Sequence, residues 1–186
     1  MALLKQINGN RNAVLEVNFL AARRTGQVKG QLPLDTDVFS VDNPAENGML
    51  LIYDAVAGHV TTPESAGDLA MLHFSVEKEY HHLFPGLRTF ATTPEGFYPR
   101  LYALHAGDTW TTDAVEMGGT TDEEVEDALE ALDPADGNLF TVSTDGWVDL
   151  SSAAGGTEDL LLKVIAKTTL PNGGYAVKLE VVKATV

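Results

Sequence analysis

The last third of the chain predicts two β-hairpins, and this pattern constrains the fold more than any other feature of the sequence. Segments 139–142 and 147–150 flank a turn with an Asp-Gly pair, and segments 159–170 and 175–182 flank a turn with an Asn-Gly pair. Such pairs between apolar runs favour tight hairpin turns. Short strands joined in this way are typical of an antiparallel barrel or sandwich.

The segments upstream of these hairpins also have the character of strands. Apolar runs that alternate with polar residues, or that are short and rich in β-branched and aromatic residues, predict β-structure. They occupy residues 13–19, 27–34, 48–53, 69–80, 97–104 and 109–115. Polar and Gly- or Pro-containing stretches separate them, and residues 23–26 are predicted as one of the turns.

One segment predicts a helix instead. Thr121 can act as an N-cap, and Glu124, three residues later, completes a capping box. Val125 begins an apolar stripe at helical spacing, and an Asp-Pro pair at 133–134 ends the pattern. The acidic residues of the first turn suit the positive end of the helix dipole.

These patterns together predict a mainly β fold. We expect an antiparallel β-barrel or β-sandwich with long loops and one short amphipathic helix at about 122–132. A chain of 186 residues suits a single β-rich domain of residues 1–186. A weak boundary near 118–120 would separate an N-terminal β region from the helix and the C-terminal hairpins.

Charge is strongly polarised along the chain. No lysine or arginine occurs between Leu101 and Leu162, and these 62 residues hold 15 of the 27 acidic residues. The first 35 residues carry only two acidic side chains against five cations, which are Lys5, Arg11, Arg23, Arg24 and Lys29. The net charge of −15 argues against direct binding to nucleic acid or to an anionic membrane. Such polarity is typical of a protein that binds other proteins.

The sequence lacks the usual signatures of catalysis and of cofactor binding. Without cysteine there are no disulfides, zinc–thiolate sites or iron–sulfur clusters. No P-loop, dinucleotide-binding glycine motif or Gly-x-Ser-x-Gly elbow is present. The carboxylates between Asp122 and Asp136 are expected on a solvated helix face, where they cannot act as general acids. We therefore expect no enzyme activity and no cofactor.

The chain also lacks the apolar segments that direct proteins to or through membranes. Residues 1–10 have no apolar core of a secretion signal, and no apolar run approaches the roughly 20 residues that span a bilayer. We expect a protein that is made in the cytoplasm and is not secreted.

Two other features allow a different class of function. Glu79 and His81 would share one face of a strand, where a third histidine would be needed to hold a metal ion. Residues 84–110 hold six aromatic side chains with Arg88 and Arg100. Such a segment forms either the core of a sheet or an exposed binding groove. A small metal- or carbohydrate-binding β-barrel protein therefore stays open as an alternative.

A resemblance to a known class of proteins adds to this interpretation. The run GFYPRLYAL at 96–104, followed by GDTWTT at 107–112, and the start MALLKQ are similar to stretches of small virion proteins of tailed bacteriophages. The chain as a whole most resembles a capsid decoration, or cement, protein. The resemblance implies a location on the capsid surface, contact with the major capsid protein, dimers or trimers of the chain itself, and no cofactor.

Charge alone suggests which residues would contact a capsid. A cationic segment can bind acidic patches on the shell while the acidic remainder stays hydrated. The predicted interface consists of Arg11, Arg23, Arg24 and Lys29, with Arg88 and Arg100 in second place. A tail-tube or head–tail connector subunit is the alternative within the same class, because such subunits also combine β-barrel cores with long loops and a helix.

Overall fold

The computed structural model describes residues 2–75 and 88–185, and it confirms the predicted fold class. The chain is mainly β, with 36% strand and 13% helix, and its curled sheets form a half-barrel. The strands are β1 Ala2–Leu3, β2 Val14–Phe19, β3 Val28–Lys29, β4 Ala45–Glu46, β5 Leu50–Asp54, β6 His59–Thr61, β7 Met71–His73, β8 Arg88–Thr89, β9 Ala91–Thr92, β10 Leu101–Tyr102, β11 Thr109–Thr112, β12 Val115–Met117, β13 Leu139–Val142, β14 Val148–Asp149, β15 Leu160–Thr169 and β16 Tyr175–Ala184.

The strands form three sheets. The largest has nine strands in the order β1-β12-β14-β13-β15-β16-β11-β2-β8. A five-stranded sheet has the order β3-β10-β7-β5-β6, and β4 pairs with β9 alone. All these pairings are antiparallel except that of β12 with β14. The C-terminal strands β13 to β16 therefore lie as one block between strands that precede residues 118–120, with β1 and β12 on one side and β11, β2 and β8 on the other.

Both predicted C-terminal hairpins are present. β13 and β14 pair around the Asp-Gly turn, and β15 pairs with β16 from Leu160 opposite Ala184 to Thr169 opposite Tyr175. In β16 the side chains of Val177, Leu179 and Val181 are buried, as alternation along a strand requires. They join one large core with Trp110, which is fully buried.

The five-stranded sheet is nearly closed on itself. Its edges are β3 and β6, yet the segment that follows β3 reaches the far edge. There the Val60 N–H donates to the Pro33 carbonyl at 2.8 Å, and the Asp35 N–H donates to the Val60 carbonyl at 2.9 Å. The segment after β3 thus shields one edge strand from further pairing and leaves β3 as the exposed edge.

The predicted helix is present as α3, Asp122–Ala131. The Thr121 hydroxyl accepts the Glu124 N–H at 3.3 Å, and a Glu124 carboxylate oxygen accepts the Thr121 N–H at 3.2 Å, which is the predicted capping box. At the other end, Lys167 Nζ donates to the carbonyls of Leu129 and Glu130. A cation there complements both the unpaired carbonyls and the helix dipole.

Two further helices are absent from the prediction. They are α1, Leu4–Ile7, and α2, Ala21–Thr25. The predicted turn at 23–26 is in fact the end of α2, where Gly26 adopts φ +73° and donates its N–H to the Ala22 carbonyl. Helices of about one turn are too short to show a 3.6-residue period in sequence.

Several predicted strands are longer than the observed ones. Segment 27–34 contains only β3, segment 97–104 contains only β10, and segment 69–80 contains β7, with residues 76–80 outside the described part. Pro99 has no N–H to give to a ladder, which is consistent with the late start of β10 at Leu101.

Candidate interaction surface

A cluster of exposed cations lies at a corner formed by α2 and β3. Residues 23–31, which we call the α2–β3 corner, are all exposed. Arg23 and Arg24 lie in the last turn of α2, and Lys29 lies in the edge strand β3. No acidic residue occurs between Glu16 and Asp35. The corner therefore presents positive charge without local neutralisation by its own segment.

Three of these cations lie close to aromatic rings. The Arg24 guanidinium lies 4.5 Å from the ring centroid of Phe19, and the Arg23 guanidinium lies 5.6 Å from that of Phe74. Lys29 Nζ lies 5.7 Å from the ring of Tyr53. Contacts of this kind restrict long side chains without neutralising them. The cations are thus partly ordered before any partner binds.

A buried carboxylate fixes the corner to the main sheet. Asp108 is fully buried and accepts the Ala21 N–H at 2.7 Å, at the start of α2. It also accepts the His105 N–H at 2.9 Å. Asp108 therefore ties the start of α2 to the turn before β11, so that α2 has a fixed position relative to the sheet.

The structure brings four of the six predicted interface residues together. Arg100 joins the corner because its side chain lies against Gly30, where an added Cβ would meet Arg100 Cγ at 3.7 Å. Arg11 lies elsewhere, on the wall of a separate cleft. The backbone of Arg88 pairs with Leu15, near the end of β2 that is remote from α2, and its side chain lies outside the described part. The role of all six residues stays a prediction.

An acidic groove lies between α3 and the β15–β16 hairpin. It has a volume of about 420 Å³, and its lining includes Glu126, Glu130 and Tyr175 with one cation, Lys167, whose Nζ donates to the last carbonyls of α3. The two glutamates are one helical turn apart and exposed, and Tyr175 is 43% exposed. As predicted, the carboxylates from Asp122 to Asp136 lie on a solvated surface.

A larger, polar cleft lies between the N-terminal segment and the loop before β4. Its volume is about 640 Å³. The ammonium of Lys5 and a carboxylate oxygen of Glu46 form an ion pair in its floor, with side chains only 9% and 8% exposed. The other Glu46 oxygen accepts the Ala13 N–H, and Lys5 Nζ lies 4.9 Å from the ring of Trp147. Arg11 and Asp42 contribute charges of opposite sign to the walls.

His73 is fully buried and packs within the fold. Its Nδ1 lies 2.7 Å from the Glu46 carbonyl, and its Nε2 lies 2.6 Å from Ser75 Oγ. Because a carbonyl only accepts, Nδ1 carries the hydrogen and Nε2 accepts from the Ser75 hydroxyl. Burial lowers the pKa of His73 to about 4, so the ring is neutral near pH 7.

Two carboxylates outside the helical segment have a raised pKa, and the sequence identifies neither of them. Burial raises the pKa of Asp113, although it accepts hydrogen bonds from Asn8, Asn10 and the Val14 N–H. Burial, assisted by the nearby charges of Asp145 and Asp149, raises the pKa of Glu116. Both residues lie in or beside strands of alternating pattern, and sequence gives no signal that distinguishes a buried carboxylate there from a solvated one.

The structure describes only some of the residues that suggest a metal or sugar site in the sequence. Glu79 and His81 lie outside the described residues. In residues 2–75 and 88–185, no three histidine, aspartate or glutamate side chains are placed to hold a metal ion. The aromatic segment is divided, because Tyr102 and Trp110 are buried whereas Phe97 and Tyr98 are 72% and 55% exposed.

Comparison with known proteins assigns the chain to no family. No protein-family model matches the chain, and neither a curated protein nor a solved structure matches it. None of the helices in the described residues is long and apolar enough to cross a membrane.

Proposed function

We propose that this chain is a structural virion protein of a tailed phage, which binds the outside of the capsid and stabilises it without catalysis. The single observation that carries the proposal is the α2–β3 corner, an exposed cationic surface on a chain with a net charge of −15. The partner is the major capsid protein, and copies of the chain associate as dimers or trimers on its lattice.

The physical requirements of such a role agree with this surface. Free copies of a decoration protein must stay apart, and a large net charge of one sign keeps them apart. Each copy must also recognise an acidic patch that is repeated over the shell. Cations held over the rings of Phe19 and Phe74 lose less side-chain freedom on binding than free ones. We place Arg23, Arg24 and Lys29 at the centre of the contact and Arg100 beside them.

Charge reversal at the corner tests this proposal. We expect Arg23→Glu with Arg24→Glu to weaken binding to capsids stripped of this protein by about 10- to 100-fold, because two attractive pairs become repulsive. Co-sedimentation at graded protein concentration gives the affinity. The matched control is Lys163→Glu with Lys178→Glu, which makes the same change in net charge on β15 and β16. Equal binding of both variants would contradict the proposal, and so would an absence of wild-type binding.

A tail-tube or head–tail connector subunit is the second candidate, and the placement of the two charged surfaces favours it. The cationic corner follows Phe19 in the chain. Phe19 pairs with Thr109 of β11, and Thr109 pairs in turn with Glu180 of β16, so the corner lies near the level of Glu180. The acidic groove includes Tyr175, at the start of the same strand. Five residue steps along β16 separate Tyr175 from Glu180, which is about 17 Å. Opposite charges at opposite ends suit head-to-tail contacts, which form rings when the rotation between neighbouring copies closes and open tubes or filaments when it does not.

A charge-swap experiment distinguishes the two candidates. If copies join head to tail, we expect Arg23→Glu with Arg24→Glu to form monomers, and Glu126→Lys with Glu130→Lys to form monomers as well. A mixture of the two variants should restore the wild-type ring mass in light scattering, because each altered surface then meets a complementary one. A wild-type protein that forms no ring would exclude the connector role. Capsid binding that is unaffected by the Glu126 and Glu130 changes would favour decoration.

A further inference from the structure

The cleft beside the Lys5–Glu46 ion pair has the properties of a site for a small ligand. Its volume of about 640 Å³ falls in the range of roughly 300–1,000 Å³ that is typical of ligand clefts. It is lined by the N-terminal segment, the loop at 41–44, residues near β9 and the indole of Trp147. It is separate from the α2–β3 corner, to which it contributes no residue.

The charge of the lining selects a neutral ligand. Its two cations, Lys5 and Arg11, are balanced by the two carboxylates of Glu46 and Asp42. Lys5 and Glu46 satisfy each other in the floor. A phosphate or a nucleic acid would meet two carboxylates there, and a metal ion would meet two cations. The lining therefore disfavours ligands of either sign.

The remaining polar groups favour a ligand rich in hydroxyls. Arg11 and Asp42 have no ion pair within the described residues, and both are exposed on the cleft walls. The Gln6 amide and the Thr93 hydroxyl add donors and acceptors. Val41, which is 70% exposed, adds most of the apolar surface, and Trp147, which is 9% exposed and lies against Lys5 Nζ, adds a small part of it. The guanidinium of Arg11 and the carboxylate of Asp42 can form hydrogen bonds with the hydroxyls around a sugar ring. The apolar carbons of the lining can pack against the C–H face of the same ring.

We propose that this cleft binds a neutral carbohydrate unit through Arg11, Asp42 and Thr93, with Trp147 beside the ring. This goes beyond capsid binding, because it gives the chain a second, independent partner. A neutral sugar makes hydrogen bonds but no ion pairs, so its affinity depends little on ionic strength. Arg11, which the charge pattern of the sequence predicts at the capsid interface, acts here as a hydrogen-bond donor to the sugar.

Tryptophan fluorescence and saturation-transfer NMR on the full chain test the proposal. The probes are glucose, galactose, N-acetylglucosamine and maltose, each up to its solubility limit. Trp147 borders the cleft whereas Trp110 is fully buried elsewhere, so that binding should alter the emission of Trp147. We expect at least one probe to bind, with an affinity that changes less than twofold between low and high salt.

Matched variants locate the binding. Asp42→Ala and Arg11→Ala should each weaken it at least tenfold, while Glu64→Ala, which removes an exposed carboxylate outside the cleft, should leave it unchanged. Circular dichroism checks that each variant is folded. The proposal is overturned if no probe binds, if the Asp42 and Arg11 variants bind like the wild type, or if binding disappears with added salt. Each of these results leaves the capsid-binding test unaffected, because that test uses the corner.

Discussion

Replacing Glu46 with alanine is expected to lower the free energy of unfolding by about 3–5 kcal/mol, because removing one partner of a buried ion pair leaves the other charge uncompensated. The side chain of Lys5 is only 9% exposed, and its ammonium has Glu46 as its carboxylate partner. The Ala13 N–H would also lose its acceptor. Chemical denaturation, followed by the fluorescence of the two tryptophans, measures the loss.

A double variant separates the charge from the hydrogen bond. Lys5→Met with Glu46→Gln removes both charges but keeps an oxygen that accepts the Ala13 N–H. We expect this pair to recover most of the loss, because a buried ion pair and a neutral replacement of similar size differ little in stability. Lys5→Met alone should be destabilising, since the Glu46 charge stays buried. A loss below about 1 kcal/mol for Glu46→Ala would show that solvent screens the pair, as at an exposed site.

The parts of the fold that follow from local chemistry are the parts the sequence predicts. The capping box at Thr121 and the Asn-Gly turn between β15 and β16 depend on neighbouring residues, and both are found where they are expected. The short strands β3 and β10 depend instead on long-range pairing with each other. Their ends are set by the sheet, which sequence periodicity does not report.

The candidate surfaces are predictable only to the extent that their residues are close in sequence. Arg23, Arg24 and Lys29 share one acid-free segment, so the charge pattern identifies them. Arg100 joins them only because β10 pairs with β3. The polar cleft has no local signal at all, since its walls come from segments that are far apart in the chain. Such sites follow from topology rather than from composition.

Acidification should reduce the stability contributed by His73 by about 3 kcal/mol between pH 6.5 and pH 4, at about 1.4 kcal/mol per pKa unit. Its pKa is about 4 in the folded protein, below the ordinary value of 6.5, because the ring is buried. The unfolded chain therefore takes up the proton first as the pH falls. The contribution is complete above pH 6.5 and is lost as the pH approaches 4. Urea denaturation at several pH values measures it.

Two variants separate the stability contribution of His73 from the contributions of the other acid-sensitive groups. Asp113 and Glu116 act in the opposite direction, because a raised carboxyl pKa makes the folded state bind protons more tightly as the pH falls. His73→Asn removes the titrating ring and keeps a donor for the Glu46 carbonyl. Ser75→Ala removes the partner of Nε2 and keeps the ring. The difference between wild type and His73→Asn should therefore shrink by about 3 kcal/mol from pH 6.5 to pH 4, whereas the difference for Ser75→Ala should change much less. A constant difference for His73→Asn would mean that His73 takes up its proton at an ordinary pH, and hence that water reaches the ring between β7 and β4.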